Sequence, residues 1–177
     1  MNARVRVTAR VRPLAARRRS AAVAAAAALA LCVFAVSGAF GDVSHVGWPH
    51  TVTVWFASNG GQVGVGTDGN DMLLGGAGSD TIYGGPGNDI LWGDQHPAPN
   101  GADQTDRIYG AGGSDWIYTS HGTNHVHAGP GNDHVFAYFG RGTIDCGSGN
   151  HDILTLAKSD SHAYTVRNCE TVQIGFP

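Results

Sequence analysis

The sequence predicts an all-β repeat fold, and three observations carry that prediction. First, a nine-residue pattern of glycine, aspartate and one large aliphatic residue recurs from Gly66 to Leu154. Second, the last three positions of each period read x-U-x, with U aliphatic, as a short strand whose middle side chain points inward and whose neighbours point outward. Third, the composition opposes helices. From Phe40 onward Glu and Lys occur once each, as Glu170 and Lys158, while 26 of the 27 glycines lie there. Such a chain is neither a helical bundle nor a coiled coil. The same segment carries 4 basic against 14 acidic residues, which excludes a nucleic-acid binder. With only 14% charged residues overall, a highly charged disordered chain is excluded as well.

Residues 1–39 read as an export signal. Seven arginines (Arg4, Arg6, Arg10, Arg12, Arg17, Arg18 and Arg19) precede the apolar run 21–36, and the small residues Ser37, Gly38 and Ala39 follow. Basic, then apolar, then small is the layout of a secretory signal peptide, with cleavage expected near Ala39. The run is short for a bilayer span of roughly 17–25 residues. The expectation is an extracellular protein with no stable membrane insertion after cleavage; an uncleaved anchor facing outward is the alternative. Residues 40–65 form an N-terminal segment. Within it, Thr51-Val52-Thr53-Val54-Trp55-Phe56 is alternating and β-branched, so it predicts a strand capping the repeats.

The repeat itself divides into GTDGNDMLL, GGAGSDTIY and GGPGNDILW, an interrupted unit GDQHPAPNGADQTDRIY, then GAGGSDWIY, TSHGTNHVH, AGPGNDHVF, AYFGRGTID and CGSGNHDIL. Each follows Gly-Gly-x-Gly-x-Asp-x-U-x, with U aliphatic: Leu73, Ile82, Leu91, Ile108, Ile117, Val126, Val135, Ile144 and Ile153. Position 6 is Asp in six units. Positions 1–6 form a turn whose backbone conformations glycine adopts cheaply. Turns of this kind aim backbone carbonyls at one spot, and the Asp adds a carboxylate. These are hard oxygen ligands of the kind calcium takes.

This phased array resembles the hemolysin-type calcium-binding repeat, the RTX nonapeptide family, over half of the chain. The DCGSG around Cys146 and NCETV around Cys169 also resemble the terminal part of small secreted actinobacterial calcium-binding proteins. The resemblance implies a right-handed parallel β-roll over 66–154, two nonapeptides to a coil, with ions between the turns of units n and n+2. One edge then carries Asp71, Asp89, Asp115 and Asp133, followed by His151. The other carries Asp80, Asp106, Asn124 and Gly142. The implied complement is about three to five Ca2+ ions, held by the six Asp and, more weakly, by Asn124. His151 and Gly142 depart from the pattern, so the last two units are not expected to bind.

The eight additional residues of the fourth unit predict a loop insertion at 94–101 on the second edge. Residues 155–177 hold Tyr164-Thr165-Val166 and Thr171-Val172-Gln173-Ile174, read as short strands in a C-terminal cap. In an exported chain Cys146 and Cys169 can pair as a disulfide, with two buried thiols as the alternative. The outward positions of the odd units are aromatic, including Trp92, Trp116, Tyr118 and Phe136. Such a face is either covered by a terminal segment or is a contact surface for a protein or surface partner. His121, His125 and His127 read as surface residues rather than a zinc site. Neither HExxH, a P-loop nor GxSxG occurs. The expected function is therefore a secreted, non-catalytic calcium-binding module that folds on calcium and serves structure or interaction. A surface adhesion protein using the aromatic face is the alternative, and a small secreted hydrolase is the more distant one.

Overall fold

The computed structural model describes residues 47–50, 52–94, 103–158 and 163–175, all within its second compact unit, Phe34–Pro177. The expected signal at 1–39 and all but Asp94 of the expected insertion lie outside the described residues. Among the described residues, thirteen strands make two parallel sheets. The odd sheet runs β1 (Thr53–Phe56), β3 (Asp71–Leu74), β5 (Ile90–Trp92), β7 (Trp116–Tyr118), β9 (His134–Ala137), β11 (Ile153–Leu156) and β13 (Thr171–Ile174). The even sheet runs β2 (Val63–Val65), β4 (Thr81–Pro86), β6 (Thr105–Gly112), β8 (Thr123–Pro130), β10 (Arg141–Ser148) and β12 (Tyr164–Arg167). Each strand pairs with the strand two places on, never with its sequence neighbour, so the chain winds as a solenoid. No α-helix occurs among the described residues.

The register explains the period. Met72 pairs with Ile90 and Trp116 with His134, each eighteen residues apart, so one coil is two nonapeptides. The interrupted unit lengthens the step by eight in both sheets: Thr81 pairs with Arg107 and Ile90 with Trp116. The insertion is thus absorbed between β5 and β6 without disturbing either ladder.

The core is one file of aliphatic side chains from each sheet. Leu73, Ile82, Leu91, Ile108, Ile117, Val126, Val135 and Ile144 are fully or almost fully buried, as the position-8 pattern predicts. The small residues Ala128, Ala137 and Cys146 are buried beside them at position 1. Trp55 closes the N-terminal end of this core, packed over Gly64. Cys146 and Cys169 form the disulfide, with Cα atoms 5.1 Å apart, and tie β10 to the segment before β13.

The terminal strands cap both ends of the roll as expected: β1, β2, β12 and β13 continue the two ladders in parallel as the first and last rungs. One expectation needs correction: the ninth unit is shifted by one. Val135 pairs with Leu154, nineteen residues on, so His151 is a one-residue insertion in the turn. Leu154, expected outside, is buried, and Ile153 takes the outward place. Asp152 accordingly occupies position 6, the place expected for His151, because a one-residue slip exchanges the two faces of a strand.

Candidate metal centre

Position 6 lies where the turn enters the strand, so successive coils stack these residues on top of one another. On the odd edge they form a continuous ladder. The backbone N–H of Asp71 donates to Asp89 Oδ1 at 2.9 Å, Asp89 to Asp115 at 2.8 Å, and Asp115 to Asp133 at 2.9 Å. Asp133 donates to Asp152 at 2.8 Å, and Asp152 to Glu170 Oε2 at 2.9 Å. The even edge repeats the arrangement more briefly. Gln62 N–H donates to Asp80 Oδ1 at 2.7 Å and Asp80 N–H to Asp106 Oδ1 at 2.8 Å.

These bonds fix one oxygen of Asp80, Asp89, Asp106, Asp115, Asp133 and Asp152; Thr67 N–H and Oγ1 fix Oδ2 of Asp71, and Ser120 Oγ also donates to Oδ2 of Asp106. Asp80, Asp89, Asp115, Asp133 and Asp152 each keep a buried Oδ2 without a hydrogen bond, and Asp71 a buried Oδ1. Asp71, Asp80, Asp89, Asp106, Asp115, Asp133 and Asp152 are all 0–1% exposed. Buried charged oxygens that lack donors are costly unless a cation meets them. The cost appears in their titration. Burial pushes Asp115 up to about 8, and Asp89 and Asp133 up to about 7; neighbouring carboxylates add to this, and the backbone N–H groups oppose it. Burial also pushes Asp106 up to about 6 and raises Asp80 and Asp152.

The backbone supplies the remaining oxygens. A Cβ built on Gly84 would meet both Asp89 Oδ2 and the carbonyl of Gly110. One built on Gly110 would meet Asp115 Oδ2 and the carbonyl of Ala128, and one on Gly75 would meet Asp80 Oδ2 and the carbonyl of Gly93. At each place a carboxylate oxygen and a carbonyl of the next coil converge on the bare Cα of a position-1 glycine. This cradle of carbonyl and carboxylate oxygens suits a hard divalent cation of calcium's class.

The even edge closes after Asp106. Asn124 is fully buried, and its amide bonds are made within the protein. Its Oδ1 accepts from Ser120 N–H at 3.1 Å, and its Nδ2 donates to Ser120 O at 2.8 Å and to Tyr164 Oη at 3.1 Å. Tyr164 pairs with Gly142, which has no side chain, and its hydroxyl donates to Phe139 O at 2.5 Å.

Three acidic groups escaped the sequence reading. Asp152 was displaced by counting strict nonapeptides through the inserted His151. Glu170 lies eighteen residues after Asp152, one coil length, a signal available in the sequence. Asp94 was assigned to the insertion. It stands instead at position 2 of the interrupted unit, where one carboxylate oxygen from each of Asp80, Asp94 and Asp106 lies within 4.8 Å of the others. The histidines do not converge. His125 Nδ1 is 2.9 Å from Thr143 Oγ1, His127 stacks on Tyr109, and His121 stacks on Phe139.

Comparison with family models matches residues 65–95 and 100–135 to the RTX calcium-binding nonapeptide repeat, in four copies. The chain carries RTX repeats. The matched segments contain Asp71, Asp80, Asp89, Asp94, Asp106, Asp115 and Asp133, and leave Asp152 and Glu170 of the odd edge outside. The RTX repeats form a parallel β-roll here, and the roll continues beyond the matched segment in both directions. No curated protein and no solved structure matches the chain.

Proposed function

We propose that this protein is a secreted, non-catalytic calcium-binding β-roll that folds when it meets calcium outside the cell. The observation that carries the reading is the two stacked rows of buried carboxylates, in which Asp71, Asp80, Asp89, Asp115, Asp133 and Asp152 each keep one hydrogen-bonded oxygen and one buried oxygen left for a cation. Asp71, Asp89, Asp115 and Asp133 are the odd-edge ligands and Asp80 and Asp106 the even-edge ligands. Asp152 and Glu170 extend the odd row. Asn124, held by Ser120 and Tyr164, closes the even row rather than adding an ion of its own.

The energetics support coupling to folding. Each nonapeptide buries one large side chain, so the core is thin. Four ions at ten times their Kd would contribute roughly 1.4 kcal/mol each, together comparable to a domain's net stability of roughly 5–15 kcal/mol. Secretion is supported by the arginine-rich and apolar 1–39 and by the Cys146–Cys169 disulfide, which belongs in an oxidising compartment. We read the aromatic odd face as packing rather than a partner surface. Trp48 Nε1 donates to Tyr118 Oη at 3.1 Å, and Gly47 lies against Trp116. Trp92, Tyr118 and Phe136 stack on one another at 4.5 and 4.8 Å between ring centroids.

Calcium titration of the exported chain, followed by far-UV circular dichroism, tests the reading. Strand signal should rise cooperatively with calcium and not with magnesium. Full strand signal in chelator would defeat coupled folding, and no calcium uptake at all would defeat the calcium assignment.

A further inference from the structure

The even edge holds one arrangement that the repeat pattern does not produce. In the odd row, six carboxylates in file stand around five gaps, so each interior carboxylate is shared between two neighbours. In the even row Asp80 and Asp106 are bounded by neutral groups, Gln62 on one side and Asn124 on the other. Asp94 enters their gap from the side. It is 5% exposed, and its Oδ1 has no hydrogen-bond partner, like Oδ2 of the wholly buried Asp80. The structure holds Asp94 deliberately in place: Gln104 Nε2 donates to its Oδ2 and also to His121 O at 3.2 Å. Ser120 Oγ donates to Asp106 Oδ2 and orients that carboxylate in turn. Three carboxylates therefore converge on one place with no cationic side chain among them and two unpartnered oxygens.

We propose that Asp94 turns the Asp80–Asp106 gap into a cation site of a different class from the rest of the roll: three unshared carboxylates on a single ion. It is the tightest calcium site of the molecule, fills first, and takes a trivalent lanthanide in preference to calcium. Ligand charge count is one of the factors that set calcium affinity, and here three carboxylates, held by Gln104, Ser120 and the backbone, meet on one ion where an odd-row gap offers two shared ones. Three negative charges leave a net charge of −1 around a divalent ion and neutralise a trivalent one. Gln104 and Ser120 are positioning residues. The inference rests on reading the carboxylate rows as calcium sites.

The test is calorimetric titration of the full chain with calcium chloride, and separately with terbium chloride. The wild type should bind one ion tightly before a weaker cooperative set, with terbium entering the tight step first. Asp94→Asn should weaken that step by about tenfold or more and leave the number of weaker ions unchanged. Asp115→Asn should do the reverse, keeping the tight ion and losing weaker ones. An Asp94→Asn chain whose steps match the wild type overturns this inference while leaving the calcium reading intact. Absence of calcium uptake in the wild type overturns both. Should Asp94→Asn not fold, the Asp115→Asn chain decides: loss of its tight ion places that ion on the odd edge and refutes the assignment.

Discussion

At the scale of single residues, the roll depends on what the backbone must do at each turn position. Position 2 of the odd units adopts positive φ at Gly85, Gly129 and Gly147, with values of 105°, 119° and 101°. In the fifth unit the same place is Ala111, at φ 76°. A Cβ there opposes the left-handed conformation at a cost of roughly 1–2 kcal/mol, partly offset by the greater freedom glycine has when unfolded. Ala111→Gly should therefore stabilise the calcium-loaded protein by about 1 kcal/mol, read as a higher urea midpoint at fixed calcium. A lower midpoint would mean that the Ala111 methyl packs usefully. Position 1 makes the opposite demand. There glycine is needed for space, because its missing Cβ is where Asp89 Oδ2 and the Gly110 carbonyl approach Gly84.

At the scale of elements, each coil balances one inward residue from each sheet. The middle coils pair two aliphatic side chains, but the first pairs the large Trp55 of β1 with Gly64 of β2. A Cβ on Gly64 would stand 2.6 Å from Trp55 Cζ3, closer than atoms can pack. Gly64→Ala should cost about 1–3 kcal/mol by overpacking, and the double change with Trp55→Leu should recover most of that loss. Additive losses in urea unfolding would show that the two residues do not share this space. The nine-residue period displayed the strands from β3 to β10 and the Asp rows because glycine and Asp recur there at fixed places, whereas β1, β12 and β13 were legible only as alternating, β-branched segments. The rungs at β1, β2 and β13 keep the eighteen-residue coil but lose the glycines that announce it, and β12 lies twenty-two residues beyond its partner, Gly142 with Tyr164. Thr53 pairs with Asp71, and Leu154 with Val172, without a repeat signature on either terminal strand. Asp152 was hidden by a single inserted histidine. Asp94 was hidden because an acid in a turn position reads as loop until its neighbours in space are known.

At the scale of the whole molecule, the two edges are ladders of like charge that only protons or cations can neutralise. Burial, reinforced by neighbouring carboxylates, raises Asp115 to about 8 and Asp89, Asp94 and Asp133 to about 7. An unfolded chain releases these protons near 3.9. The folded form thus binds more protons than the unfolded form between those limits, and stability falls as pH rises wherever that holds. In chelator the contribution is fully present below about pH 4 and is lost as pH climbs through the folded values of about 7 to 8. Calcium reverses the dependence, because it binds the ionised carboxylates and displaces the same protons. Two curves of urea midpoint against pH should then cross. The chelated protein should be most stable near pH 4–5 and weaken toward pH 8, whereas the protein in millimolar calcium should strengthen over that range. Proton release on calcium addition at pH 7 should accompany the difference, measurable as a buffer-dependent binding enthalpy. A chelated midpoint that rises with pH would mean that the carboxylates are already ionised and compensated without metal, and the stacked acids would then be solvated turns rather than ion sites.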